Sequence, residues 1–222
     1  KKILWRVRFS SYALVYLPWF FFLESKITMD YPNLHIINGP LDDMIPFCEV
    51  FIIPYFLWFA YIVASCVIMV LKADNQEFIR FALSLIIGMS LCMVICMVYP
   101  NGLTLRPDTL PDNAFGRLVA GLYSTDTPTN VFPSIHVYNS IAVHTALSKC
   151  KALKNHKGLL TGSLILCILI CMSTVFLKQH SLYDVGGAFV LMGVMYYVLY
   201  ILPERRAQRQ AENEKHYASA DE

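Results

Sequence analysis

The sequence predicts an all-α polytopic membrane protein, a six-transmembrane helix bundle with both termini cytoplasmic. Three observations predict it. Of the 222 residues, 56% are hydrophobic and only 15% charged, a balance too apolar for an ordinary soluble domain. Six stretches approach the roughly 20 mostly apolar residues that a bilayer span needs. The basic residues between those stretches then sort almost entirely to one side of the membrane.

The stretches fall at about 9–24, 47–71, 78–99, 134–149, 158–178 and 184–202, the first and fourth being short or interrupted by polar residues. They define a membrane domain over 1–203, followed by a polar, partly helical cytoplasmic tail over 204–222. Nothing reads as a cleavable signal, because the first span lacks a small-residue cleavage site and five more spans follow it. Trp5 suits an interfacial anchor, and Pro54 is expected to kink the second span. Residues 28–46, with Pro32, Gly39, Pro40 and Pro46, form an outer loop. The longest outer segment, 100–133, is rich in turn residues. Within it, Ala114 to Tyr123 reads as a short amphipathic helix with Phe115, Leu118, Val119 and Leu122 on one face. That helix is either a lid at the interface or a turn that covers the bundle.

Six spans place Lys1, Lys2, Arg6, Arg8, Lys72, Arg80, Lys149, Lys151, Lys154, Lys157, Arg205, Arg206, Arg209 and Lys215 on one side, 14 of the 18 Lys and Arg. Lys26, Arg106, Arg117 and Lys178 remain on the other. This is a positive-inside pattern, so residues 25–46, 100–133 and 179–183 should face outward. The basic clusters read as topology determinants and anionic-lipid contacts, not as a nucleic-acid surface. The seven cysteines lie in or beside spans. The i,i+4 pairs Cys92/Cys96 and Cys167/Cys171 read as small hydrophobes in helix packing, and no disulfide framework or metal site is expected.

Three polar stretches stand out on the cation-poor outer side. Pro133-Ser134-Ile135-His136 opens the fourth span, where proline suits a first helical turn and the free N–H groups with the dipole make an anion site. Ser134 adds a hydroxyl and His136 an imidazole, although a capping serine and an interfacial histidine would look the same. His180 and Asp184 have i,i+4 spacing, which on a helix puts them on one face. The carboxylate then fixes the imidazole tautomer and leaves the other nitrogen as nucleophile or base; a structural hydrogen bond is the alternative. Arg106, followed by Pro107, presents a fork suited to phosphate oxygens, or an exposed partner for Asp108 or Asp112. Lys178 is a second phosphate cation or a snorkelling residue at a helix end.

These residues resemble the type 2 phosphatidic acid phosphatase (PAP2, lipid phosphate phosphatase) superfamily over roughly 99–190, and the six-span layout extends the resemblance. Of the family's K-x6-R-P motif the chain keeps Arg106-Pro107, with Tyr99 in the lysine position. Of P-S-G-H it keeps Pro133, Ser134 and His136, with Ile135 in place of glycine. Of S-R-x5-H-x3-D it keeps Ser173, His180 and Asp184, with Thr174 in place of arginine. The lost cations resemble the branch containing inositol phosphorylceramide and sphingomyelin synthases. A phosphodiester carries about one negative charge and a monoester nearly two, so a diester site works with fewer cations.

The resemblance implies a metal-independent, cofactor-free enzyme of the plasma membrane. It would hydrolyse a lipid phosphomonoester or pyrophosphate at the extracytoplasmic face through a phosphohistidine. His180 is implied as nucleophile, Asp184 as its partner and His136 as acid and base, with Arg106, Ser134 and Lys178 on the phosphoryl oxygens. Two alternatives stand: a phosphotransferase moving a headgroup between lipids, and a non-catalytic lipid-binding membrane protein. A metalloenzyme built on His136, His180 and Asp184 would make Arg106 an odd neighbour. Polar groups at one face instead of the bilayer midplane argue against a transporter.

The orientation is directly testable. With the chain in a bacterial inner membrane, green fluorescent protein fused after Glu222 should fluoresce, and alkaline phosphatase fused there should stay inactive. The reverse pattern would overturn the cytoplasmic placement of the termini.

Overall fold

The computed structural model describes residues 2–220, and it is built almost wholly of helices. A short α1 (Lys2–Val7) leads through a 3-10 turn into α2 (Ala13–Lys26). After β1 (His35–Ile36) and α3 (Pro40–Asp43) come the long α4 (Ile52–Lys72) and α5 (Asn75–Val98). Beyond β2 (Asn101–Gly102), α6 (Ala114–Thr125) precedes α7 (Ile135–Lys149) and α8 (Lys157–Phe176). The chain ends with α9 (Leu182–Tyr196), a π turn over Tyr197–Ile201 and α10 (Leu202–Ala220). The two strands are a single parallel pairing, His35 to Asn101 and Ile36 to Gly102.

Among the described residues, four segments are long and apolar enough to cross a membrane: Glu49–Lys72, Asn75–Val98, Lys157–Phe176 and Leu182–Asn213. The expected first and fourth spans appear as the shorter helices α2 and α7, of 14 and 15 residues. At about 1.5 Å per residue, neither reaches the roughly 30 Å of a hydrocarbon core. For α7 the reason lies in its position. It packs against α4, α5, α8 and α9 and is the axis of the bundle. Surrounded by protein, it carries buried Tyr138, Asn139 and Ser140 that a lipid-facing helix would not. Its neighbours expose the apolar belt, including Phe59, Val63, Ile165, Ile168 and Val190, as helices in contact with lipid do.

Close packing of α5 on α7 depends on Gly88. A Cβ there would lie 2.0 Å from the Tyr138 ring, and Tyr138 is fully buried with its hydroxyl donating to the Ser84 carbonyl at 2.7 Å. Pro54 falls in the first turn of α4, where its missing N–H has no intrahelical partner to lose, so it starts the helix instead of kinking its middle. The amphipathic segment does form α6, capped by Asn113, whose side chain accepts the Gly116 N–H at 2.8 Å. Its buried face is Val119 and Leu122 against Ile52, Tyr55 and Leu177, whereas Leu118 points outward at 47% exposure. The periodicity therefore located the helix but assigned Leu118 to the wrong side.

Polar contacts gather at the two ends of the bundle. At one end Arg6 is buried, donating to the Val70 carbonyl and to Asn75 Oδ1, each at 2.8 Å. Lys151 pairs with Asp74 at 2.9 Å and Arg80 with Glu204 at 3.2 Å. Trp5, expected as an anchor, packs edge-on between Phe9 and Phe78. The tail continues as helix through Ala220, and its last two residues lie outside those described. The other end holds β1–β2, α3, α6 and the starts of α7 and α9.

Gly88→Ala should force the Tyr138 ring out of its slot and cost about 1–3 kcal/mol, as overpacking does. Thermal unfolding in detergent reads this as a clear fall in Tm, and an unchanged Tm would show that the α5–α7 contact is looser than the structure has it.

Candidate active site

His180 and Asp184 meet across a helix start. Helix α9 begins at Leu182, with Ser181 as its N-cap. The Ser181 hydroxyl accepts the Asp184 N–H at 3.2 Å, and Asp184 Oδ2 accepts the Ser181 N–H at 2.8 Å, a capping box. His180 therefore precedes the helix, and the predicted shared helix face does not exist. The turn brings its Nδ1 to 3.4 Å from Asp184 Oδ2 all the same, too long for a hydrogen bond, and Nδ1 has no other partner. Asp184 is fully buried, and its Oδ1 has no hydrogen-bond partner.

Ser134 caps α7, and its Oγ accepts the Val137 N–H at 3.4 Å. Pro133 lies just outside the helix, after a cis peptide bond from Phe132. The Ser134 N–H donates to the Asp184 carbonyl at 3.2 Å and so joins the starts of α7 and α9. That junction brings the two imidazoles together, with ring centroids of His136 and His180 5.8 Å apart. Tyr55 and Trp58 of α4 wall the far side of His136, at 4.6 and 4.4 Å between centroids. Neither aromatic residue was singled out from the sequence, where both read as ordinary span residues.

Arg106 arrives from the long connecting segment. It does not pair with Asp108 or Asp112; Asp112 instead forms an exposed 3.3 Å pair with Arg117. The guanidinium donates to the carbonyls of Tyr123 (3.2 Å) and Asp126 (2.6 Å) and to Gln179 Oε1 (2.5 Å), and it lies 4.2 Å from the Tyr123 ring centroid. Gln179 turns its Nε2 to Asp126 Oδ2 at 3.1 Å, and the same oxygen accepts the Tyr55 hydroxyl at 2.7 Å. Burial pushes the Arg106 guanidinium down from its usual value, and the nearby Asp126 carboxylate opposes that. Burial pushes the Tyr123 phenol up to about 12, so it stays neutral under the cation. Gln179 and Asp126 were missed in the sequence. Only the adjacency of Gln179 to His180 hinted at a role.

Lys178 is buried in the left-handed region, with φ 53°. Its ammonium donates to the carbonyls of Asp42 and Ile45, both at 2.6 Å. Asp42, also buried, accepts the N–H groups of Leu182 (2.7 Å) and Gly39 (2.9 Å). The lysine expected on phosphate thus has two of its three donors on α3 and the turn after it, and the outer loop is strapped over the start of α9. The positions where the family motif has further cations hold other side chains. Tyr99 stacks on His35 with centroids 4.2 Å apart, and Thr174 is buried with its hydroxyl on the Cys171 carbonyl at 2.8 Å. Among the described residues no three His, Cys, Asp or Glu side chains group as metal ligands do.

A family model for the PAP2 superfamily matches residues 77–208, more than half of the chain. No curated protein and no solved structure matches it. The matched region contains His136, His180, Asp184 and Arg106 and the three substituted motif positions, Tyr99, Ile135 and Thr174.

Lys178→Ala should free the strap, lower Tm by the loss of two buried hydrogen bonds of about 1 kcal/mol each, and raise protease cleavage within 37–48. An unchanged Tm and cleavage pattern would mean that the ammonium serves something other than the strap.

Proposed function

The chain belongs to the PAP2 superfamily, and on that premise we propose that it is an integral membrane lipid-phosphate phosphatase working through a phosphohistidine at the outer face. Its substrate would be a lipid phosphomonoester or pyrophosphate. The observation that carries the reading is the junction of α7 and α9: two imidazoles 5.8 Å apart, one of them backed by a buried carboxylate.

His180 turns Nδ1 to Asp184, which leaves Nε2 for in-line attack on phosphorus. The P–N bond forms as the bond to the lipid oxygen breaks, and His136 gives that oxygen its proton. Water then attacks the phosphohistidine, His136 takes up the water's proton, and phosphate leaves. Apo contacts such as the 3.4 Å one commonly tighten once charge develops. Arg106, the Ser134 hydroxyl and the unpaired N–H groups of Ile135 and His136 would receive the phosphoryl oxygens. Lys178 acts on the site by holding α3 and the turn after it against the segment that precedes α9, with one donor left for phosphate. The 14-to-4 division of basic residues supports an outward-facing site.

Tyr99 and Thr174 favour a second reading. With neutral side chains packed where two cations are expected, the site suits a singly charged phosphodiester, and a lipid alcohol in place of water would make the enzyme a headgroup phosphotransferase.

The deciding experiment offers purified protein a phosphate-labelled lipid monoester, and separately a phosphodiester lipid with diacylglycerol or ceramide as acceptor. Free phosphate from the monoester, lost in His180→Ala, supports the phosphatase; headgroup transfer without free phosphate supports the second reading. Neither product from folded protein would leave a non-catalytic lipid-binding role. His136→Ala should cut turnover about 10²–10⁴-fold, and near wild-type turnover by His180→Ala would remove the nucleophile assignment. Asp184→Asn should lower turnover while the chain still folds. Loss of expression would instead assign Asp184 to the capping box alone.

A further inference from the structure

The group that holds Arg106 carries a charge of its own. Asp126 caps the end of α6, and its Oδ2 is fixed by Tyr55 at 2.7 Å and by Gln179 at 3.1 Å. Gln179 is 3% exposed and Tyr55 1%, so the carboxylate has little freedom to swing away. One amide side chain thus holds the guanidinium with its oxygen and the carboxylate with its nitrogen. Coulombic coupling between the two survives because neither group is fully in water. The other charged side chains around His180 are held mainly by backbone groups. Lys178 lies on the backbone carbonyl of Asp42, whose carboxylate occupies the Leu182 N–H at the start of α9. Asp184 adds a further negative charge.

We propose that Asp126 is a specificity-determining residue: its carboxylate, held near Arg106 through Gln179 and Tyr55, offsets the guanidinium and tilts the site away from doubly charged phosphate groups, toward the second reading above. The inference rests on Arg106 receiving the phosphoryl oxygens, as in the reading above. A phosphomonoester brings nearly two charges at neutral pH and a phosphodiester about one, so the offset weighs more heavily on the monoester. Without Asp126, the guanidinium would favour the doubly charged group.

The test compares kcat/KM for a lipid phosphomonoester with that for a phosphodiester of the same acyl chains, in wild type, Asp126→Asn and Asp126→Glu. Asparagine keeps an acceptor for Tyr55 and Gln179 while removing the charge. Its monoester-to-diester ratio should rise on the order of tenfold, the size of one partly screened charge–charge interaction. Asp126→Glu should return the ratio toward wild type. Equal falls on both substrates, with the ratio unmoved, would mean that Asp126 only holds Arg106 in place and would overturn the proposal. Should Asp126→Asn not fold, Asp126→Ser is read in the same way. If wild type turns over neither substrate, the enzymatic reading fails on its own, and inorganic phosphate titrated into folded wild type and variant decides this inference. Tighter phosphate binding without the carboxylate supports it; equal or absent binding overturns it.

Discussion

The bond from the Ser134 N–H to the Asp184 carbonyl, at 3.2 Å, joins two helix starts that are 50 residues apart in the chain, and the site depends on that junction. Helix starts carry unpaired N–H groups, and burying two of them side by side is costly unless each finds an acceptor. Here several acceptors come from within: Ser134 and Ser181 cap their own helices, Asp184 closes the capping box, and Asp42 reaches in to the Leu182 N–H. The polar groups that satisfy the backbone also set the distance between the imidazoles.

The approach to α7 is held by the same kind of accounting. Asn101, fully buried, accepts the N–H groups of both Val131 and Phe132 at 2.9 Å, and its own N–H2 donates to the Tyr99 carbonyl. Glu24 at the end of α2 receives Thr127 and Asn130 from the same segment. The stretch leading into Pro133 is therefore fastened on two sides. A connecting segment buried at this depth keeps its shape only because its polar groups are paired. The Arg106 mount follows the same rule, since its carbonyl acceptors at Tyr123 and Asp126 are the last turn of α6 and its cap.

Much of this was legible. Apolar stretches located the long helices because lipid imposes a length and a composition on what crosses it. Charge distribution separated the two ends, and at the basic end Arg6, Arg80 and Lys151 are found in local polar contacts. His136, His180 and Arg106 stood out because ionisable groups in such a chain are few. The less legible parts have specific causes. Spacing alone put His180 and Asp184 on one helix face, but the Ser181 cap starts the helix after the histidine. Arg106 had two acidic neighbours in sequence, Asp108 and Asp112, yet its partners come from residues 123, 126 and 179. Lys178 read as a free cation because nothing local reveals that a loop more than a hundred residues earlier supplies its acceptors.

The sequence by itself determined the class of the molecule and its helical content, and it singled out the candidate reactive groups. Each of these follows from local properties: hydropathy over a span, turn residues, and the rarity of charge in an apolar chain. Tertiary structure alone decided which polar groups face one another. It made α7 the protein-enclosed axis, turned Lys178 into a strap, and set the Asp126 carboxylate beside the Arg106 guanidinium through Gln179. Those pairings join residues far apart in the chain. They follow from the need of each buried donor and acceptor for a partner in three dimensions, which no local pattern encodes.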